Sequence, residues 1–203
     1  MPVHECLLSS VERGAQSGNH LDHIEFNELF DQELAHPLIE MGFAFVRKTK
    51  SLRYTSGTRD LWIMRISGKW PHPGVARTAI CFRHSFLRPV SSDDTDSEKL
   101  VMDDFPRKLT FEDFDSLLKP SPKYRPEHTG RWSTSELTYG DQPREAVRKR
   151  LRKMRKLIET RVLPWVSTIT EGNELSQITK HGEQAWCEKR WIEDYAAFLS
   201  THS

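Results

Sequence analysis

The stretch "REAVRKRLRKMRKLIETRVLPWV", Arg144 to Val166, decides how the rest of the chain must be organised. Val147, Leu151, Met154, Ile158 and Val162 recur every three or four residues, with Leu157 beside them. A helix of 3.6 residues per turn gathers them into one apolar stripe that has to face a core. Pro143 suits the start of such a helix, and Pro164 must end or kink it. The other faces are cationic. From residue 144 to 161 nine Lys or Arg stand against two Glu, a net of +7, while the remaining 21 cations and 27 acids sum to −6.

A chain of net charge +1 has no general attraction to nucleic acid, so its polarised distribution is what matters. The basic face carrying Arg148, Lys149, Arg152, Lys153, Arg155 and Lys156 admits three readings. It is a solvated flank balanced by acids of the same molecule, a surface for an acidic protein partner, or a phosphate-contacting surface. "RKRLRKMRK" has the density of a nucleic-acid patch. Yet no aromatic residue is interleaved with the charges before Trp165 to stack on bases. The acidic stretch Asp93 to Asp104, net −5, is an expected internal counterpart of the helix.

Working outward, a layer is needed for the stripe to pack on. "FAFVRKTK", "DLWIMRIS" and "VARTAICFRHSF" alternate with period two and read as three strands, joined by "YTSGTR" and "GKWPHPG" as turns. Successive antiparallel pairing follows. Arg65, Arg77 and Arg83 are expected on the less buried face of this sheet, where with His84 they form a candidate anion site. Upstream, Asp22 and Glu25 match a capping box, and Phe26, Phe30, Leu34, Leu38 and Met41 continue a helix that Pro37 should kink before Gly42 ends it. Downstream, "LTFEDFDSLL" is an expected short helix with Thr110 and Asp113 as its capping box. "TSELTYG" reads as a short strand, and two closing helices open near Asn173 and Glu183.

The fold class expected is therefore α+β: an antiparallel meander of three to five strands packed with several helices, one long and basic. Residues 1–20 read as a flexible arm, and residues 21–203 as a single domain with an exposed acidic and Pro-rich insertion at about 91–131. Trp62 and Trp165 read as core. Trp70 and Trp132 fall in loops, where an exposed aromatic marks a contact site.

Chemistry leaves few traces. The phosphate-cradling, dinucleotide-binding, zinc-protease and nucleophile-elbow motifs are all missing. Cys6, Cys81 and Cys187 are an odd, dispersed set with no C-x-x-C pair, which argues against a disulfide framework or zinc knuckle and for a reducing cytoplasm. His20, Asp22 and His23 have no second ligand cluster, so no metal and no cofactor are expected. The first twenty residues lack a signal-peptide core, and no apolar run approaches a membrane span.

The pieces "LAHPLIEMGFAFVRKT" (Leu34 to Thr49), "DLWIMRIS", "ARTAICFRHSF" and "LIETRVLPWVSTI" (Leu157 to Ile169) resemble a bacterial family of uncharacterised domains. In that pattern a helix runs into a "GF" strand, an antiparallel meander follows, and a late helix ends in a Pro-aromatic pair. The resemblance implies an α+β domain and brings no catalytic residue. The function expected is a noncatalytic cytoplasmic binding protein whose partner is another protein, for instance an immunity-type protein that neutralises a toxin. The alternative is nucleic-acid binding or phosphodiester processing through the helix at 144–161. An enzyme acting on an anionic small molecule between sheet and helices is a third reading.

Overall fold

The computed structural model describes residues 21–66, 74–90, 99–115, 134–181 and 188–202. Asp22 opens α1 (His23–Phe30): its carboxylate accepts from the backbone N–H of Ile24 and of Glu25, 2.8 Å each, and the Glu25 carboxylate accepts from Asp22 N, completing the expected capping box. The helix continues through a wide turn at Asp31–Ala35 into α2 (His36–Glu40). Pro37 has no N–H, and its ring would strike the carbonyl four residues back. The chain answers by widening the preceding turn so that His36 N–H reaches Asp31 O, five residues back. Gly42, at φ 97°, then turns the chain into the sheet.

The sheet comprises β1 (Ala44–Val46), β2 (Ser51–Ser56), β3 (Arg59–Ile66), β4 (Val75–His84), β5 (Arg107–Leu109) and β6 (Ser135–Thr138), all paired antiparallel. β1 to β4 form the meander. The far edge of β4 is shared, its C-terminal half pairing with β5 and its N-terminal half with β6. Two strands differ from the sequence expectation: β2 includes part of the "YTSGTR" connection, and three-residue β5 lies within the expected exposed insertion. α3 (Phe111–Asp115) follows β5, with Thr110 Oγ1 and Asp113 Oδ2 exchanging the expected capping bonds with each other's N–H.

The basic stretch forms α4 (Arg144–Leu157), a second wide turn at Ile158–Val162, and α5 (Leu163–Ser167). Leu163 N–H bonds Ile158 O just ahead of Pro164, repeating the arrangement at Pro37. All five stripe residues are buried. They pack with Phe26, Leu29, Leu34 and Leu38 on the sheet face that presents Leu52, Leu61, Ile63, Ile80 and Phe82. Each such side chain withdrawn from water contributes about 1.5–3 kcal/mol.

The opposite face carries Val46, Trp62, Met64, Ala79 and Cys81, covered by Leu100, Met102 and Phe105. Much of the expected exposed insertion lies outside the described residues, but its middle does not match that expectation: Leu100, Met102, Phe105, Leu109, Phe111 and Phe114 are all buried. α6 (Glu171–His181) and α7 (Glu188–His202) make a third cluster from Ile178, Trp191 and Tyr195 against Leu87. Among the described residues no helix is long and apolar enough to cross a membrane.

Register corrects one expectation. Arg65 opposes Thr78, Ile66 opposes Arg77 and Asp60 opposes Arg83. With period-two alternation, Arg65 therefore stands on the helix-covered face, while Arg77 and Arg83 stand on the Trp62 face. No single face of the sheet carries all three arginines.

Candidate binding cleft

The α4 cations are the first candidates, and most of them already have an answer within the chain. Arg152 makes a two-pronged contact with Glu33, at 2.7 and 3.2 Å, and Arg148 reaches the same carboxylate at 3.0 Å and Glu145 at 2.7 Å. Hydrogen bonding from Arg152, together with the charges of both arginines, holds the Glu33 carboxyl below its usual range despite partial burial. Arg144 lies 3.6 Å from Glu25, Arg150 lies 3.7 Å from Glu112, and Lys153 pairs with Asp115. The balancing acids thus come from α1, the turn after it, α3 and α4 itself. Of the acidic stretch expected to fill that role, Asp103 pairs with Lys108, and Asp104 accepts from Val90 N and Val101 N. Lys149, Arg155 and Lys156 make no ion pair among the described residues.

The strand candidates separate. Arg83 is buried, donating to His84 O at 3.3 Å and Asp104 O at 3.5 Å; burial lowers its pKa against the pull of Asp60 and Asp104. His84 is also buried. Its Nδ1 meets Thr58 Oγ1 at 3.0 Å, Thr58 donates to Glu171, and Nε2 has no hydrogen-bond partner among the described residues. Burial pushes the imidazole down to about 4, against the opposing charges of Glu171 and Glu174. The expected anion site of Arg83 and His84 is therefore not open to a ligand. Arg77 pairs with Glu136 at 2.6 Å on a half-exposed rim. Cys81 is buried with its thiol pushed up to about 12, a packing residue rather than a nucleophile. Trp70, Trp132, Cys6, Cys187 and His20 lie outside the described residues.

Arg65 leads to a place that sequence reasoning missed. A cleft of about 1150 Å³ opens between α1 and the end of the sheet where β3 stops and β4 begins. Drug-sized ligands occupy pockets of about 300–1000 Å³, so this one has room for a longer occupant. One wall is α1, from Asp22 to Asp31. The floor is Phe26 stacked on Tyr139 at 4.1 Å, together with Arg65, which donates to Asn27 Oδ1 at 2.8 Å and lies 4.6 Å from the Phe30 ring centre. Burial lowers the Arg65 pKa, with Asp31 opposing.

The other rim is Phe45 on β1 with Arg47 and Lys50 on the turn beyond it. Phe45 is 47% exposed, a large apolar side chain at a sheet edge. Lys50, at φ 52°, is the only non-glycine in the left-handed region among the described residues, a strained conformation that recurs at binding sites. Neither Arg47 nor Lys50 makes an ion pair among the described residues.

Part of the cleft wall is main chain packed on main chain. Tyr139 N–H and Gly140 N–H both donate to Gly74 O, at 2.6 and 3.0 Å. Gly74 has φ 83°, and a Cβ there would stand 2.7 Å from Gly140 Cα. Only glycines permit that approach.

A sequence signal for the cleft existed in "RKTK", residues 47–50, three cations in four positions beside an exposed aromatic. The signal is masked because these residues continue the alternating strand pattern of "FAFVRKTK". A smaller cavity of about 330 Å³ lies between α3, β6 and α4, spanned by the Arg150 and Lys153 ion pairs. No three His, Cys, Asp or Glu among the described residues are grouped to hold a metal ion. Comparison with protein-family models, curated proteins and solved structures finds no match for the chain.

Proposed function

We propose that the chain is a noncatalytic binding protein whose partner is another protein, acting in the cytoplasm, with an immunity-type role against a toxin as the subclass its charge polarity suggests. The observation that carries this reading is the cleft rim: exposed Phe45 stands beside Arg47 and Lys50, two cations that no acid of the described residues engages. An exposed aromatic flanked by unengaged charge is the composition of an interface core and its rim. The strongly perturbed groups Cys81 and His84 do not line the cleft, so nothing in it resembles an activated nucleophile and base.

Affinity capture of the tagged full chain from a native lysate tests the reading. A single partner recovered in equimolar amount is the expected result. Consistent recovery of a lone chain overturns it.

A second reading, nucleic-acid binding, is supported by the unengaged trio Lys149, Arg155 and Lys156 on α4. It predicts an affinity for duplex or single strands that falls steeply with salt, with a slope made shallower by Lys149→Gln and Lys156→Gln. A flat salt response removes it.

A further inference from the structure

β1 pairs only with β2, so among the described residues its outer edge carries no neighbouring strand. A bare edge offers a row of main-chain donors and acceptors to any extended segment that can approach. Proteins usually guard such edges with charge, proline or a bulge. Here Phe45 faces the cleft from that edge, and Arg47 and Lys50 follow it on the turn. The cations discourage a second copy of the same edge, because two such rows would set like charges against each other. They favour a strand of opposite charge.

The field at the floor has the same sign. Arg65 near the end of β3 and Arg47 and Lys50 on the β1–β2 turn all line this cleft, so three cations contribute to its field. Two of the facing acids are already engaged: Asp22 caps α1, and the charge of Asp31 acts on Arg65. Exposed Asp141 remains at the other end of the cleft.

We propose that the cleft receives an extended acidic segment of the partner protein, laid beside the outer edge of β1 with its carboxylates on Arg47 and Lys50 and an apolar side chain against Phe45. Main-chain bonds to the edge supply affinity that does not depend on sequence, and alternate side chains of the incoming strand supply selectivity. Lys50 is held in its strained turn with its charge on the rim, so the site stands prepared before the segment arrives. The inference rests on the reading of the chain as a protein-binding protein.

The test is selection of a phage-displayed random dodecapeptide library on the full chain, followed by titration of the enriched peptide in synthetic form. Enriched sequences are expected to carry alternating acids and β-branched or aromatic residues, and to slow amide hydrogen exchange at residues 44–46. Arg47→Glu with Lys50→Glu should weaken the peptide by about a hundredfold, as expected for two charge contacts of about tenfold each. Lys50→Gly relieves the backbone strain while removing the charge, so it should lose about tenfold without any cost in folding. Lys189→Glu on α7, away from both candidate surfaces, should leave the affinity unchanged.

No enrichment, enrichment of basic peptides, affinity that survives the Arg47 and Lys50 replacements, or unchanged exchange at 44–46 overturns the proposal. So does displacement of the peptide by a single-stranded oligonucleotide, or a dimer of the chain formed through this edge. A lysate partner that binds the wild-type chain and the Arg47→Glu, Lys50→Glu variant equally overturns the cleft as its site while leaving the protein-binding function intact.

Discussion

Two helical layers are fastened to this sheet by opposite means. α1, α4 and α5 lie on it through a continuous apolar seam, and their polar contacts, such as Arg152 to Glu33, sit at the exposed margin. α6 and α7 bury a smaller apolar cluster and hold on through polar groups withdrawn from water. Arg107 Nε donates to Glu174 at 2.7 Å in a pair that is almost wholly buried. Thr58 and His84 meet Glu171 and Arg59 donates to Ile169 O, while half-exposed Arg88 adds a contact to Asp194 at the margin. A seam of hydrocarbon tolerates changes of pH and salt. A buried polar latch is specific in geometry, yet it fails sharply when one member is lost.

The largest effect that separates the two attachments should come from Glu174→Ala, which leaves the Arg107 guanidinium buried without its carboxylate. Removing one partner of such a pair costs about 3–5 kcal/mol. The loss should be concentrated in α6 and α7, so that hydrogen exchange there accelerates while β3 and β4 stay protected. Equal loss across the sheet would mean that the latch and the seam are one cooperative unit.

Leu151→Ala tests the seam. Truncating this fully buried side chain should cost about 2–5 kcal/mol in urea unfolding, by the same amount at pH 5 and pH 7. A pH-dependent cost would break the contrast.

His84 gives the next effect in size. Its imidazole, near 6.5 in the unfolded chain and held near 4 in the fold, takes up a proton more readily when unfolded. Stability is therefore full above about pH 6.5 and lost as the pH falls towards 4, by at most about 1.4 kcal/mol per pH unit. Every titratable or polar group facing His84 shares in this: Thr58 from the β2–β3 turn, Arg59 from β3, Arg107 from β5, Glu171 and Glu174 from α6, and Tyr195 from α7. Glu171 acts in the same direction at lower pH. Its carboxyl is lowered because the Thr58 hydrogen bond and neighbouring positive charge outweigh burial, so it too withdraws support on acidification. His84→Phe should flatten the profile between pH 4 and 6.5; an unchanged slope would show that other groups govern the latch.

The smallest change is expected from Glu33→Gln at the margin of the seam. It removes a carboxylate shared by Arg148 and Arg152, in a setting where solvent and salt already weaken the contact. The difference from wild type should shrink further as salt is raised, as followed by thermal unfolding at two ionic strengths.

Features governed by local spacing were legible in the sequence, and those governed by register were not. The α4 stripe, the Asp22 and Thr110 caps and the two proline kinks each depend on residues within a few positions of one another. β2 was hidden because "SLRYTS" is half polar and runs into a Ser-Gly turn. Whether Arg65 shares a face with Arg83 depends on how β3 slides against β4, which composition does not encode. The same holds for the basic stretch: its nine cations are visible in the sequence, but Glu25, Glu33, Glu112 and Asp115, which answer five of them, are brought in by the fold. The cleft rim was in plain view as "RKTK", but its meaning arises from the unpaired edge beside it.

The contact of Gly74 with Gly140 makes part of the slot's wall out of backbone. Exchange of neighbouring side chains cannot move that part; only rerouting the chain can. The rim at Phe45, Arg47 and Lys50 differs, because its side chains can change without altering the main chain that carries them. Descendants of this scaffold can thus change what they grip by altering one lip while the glycine contact stays fixed.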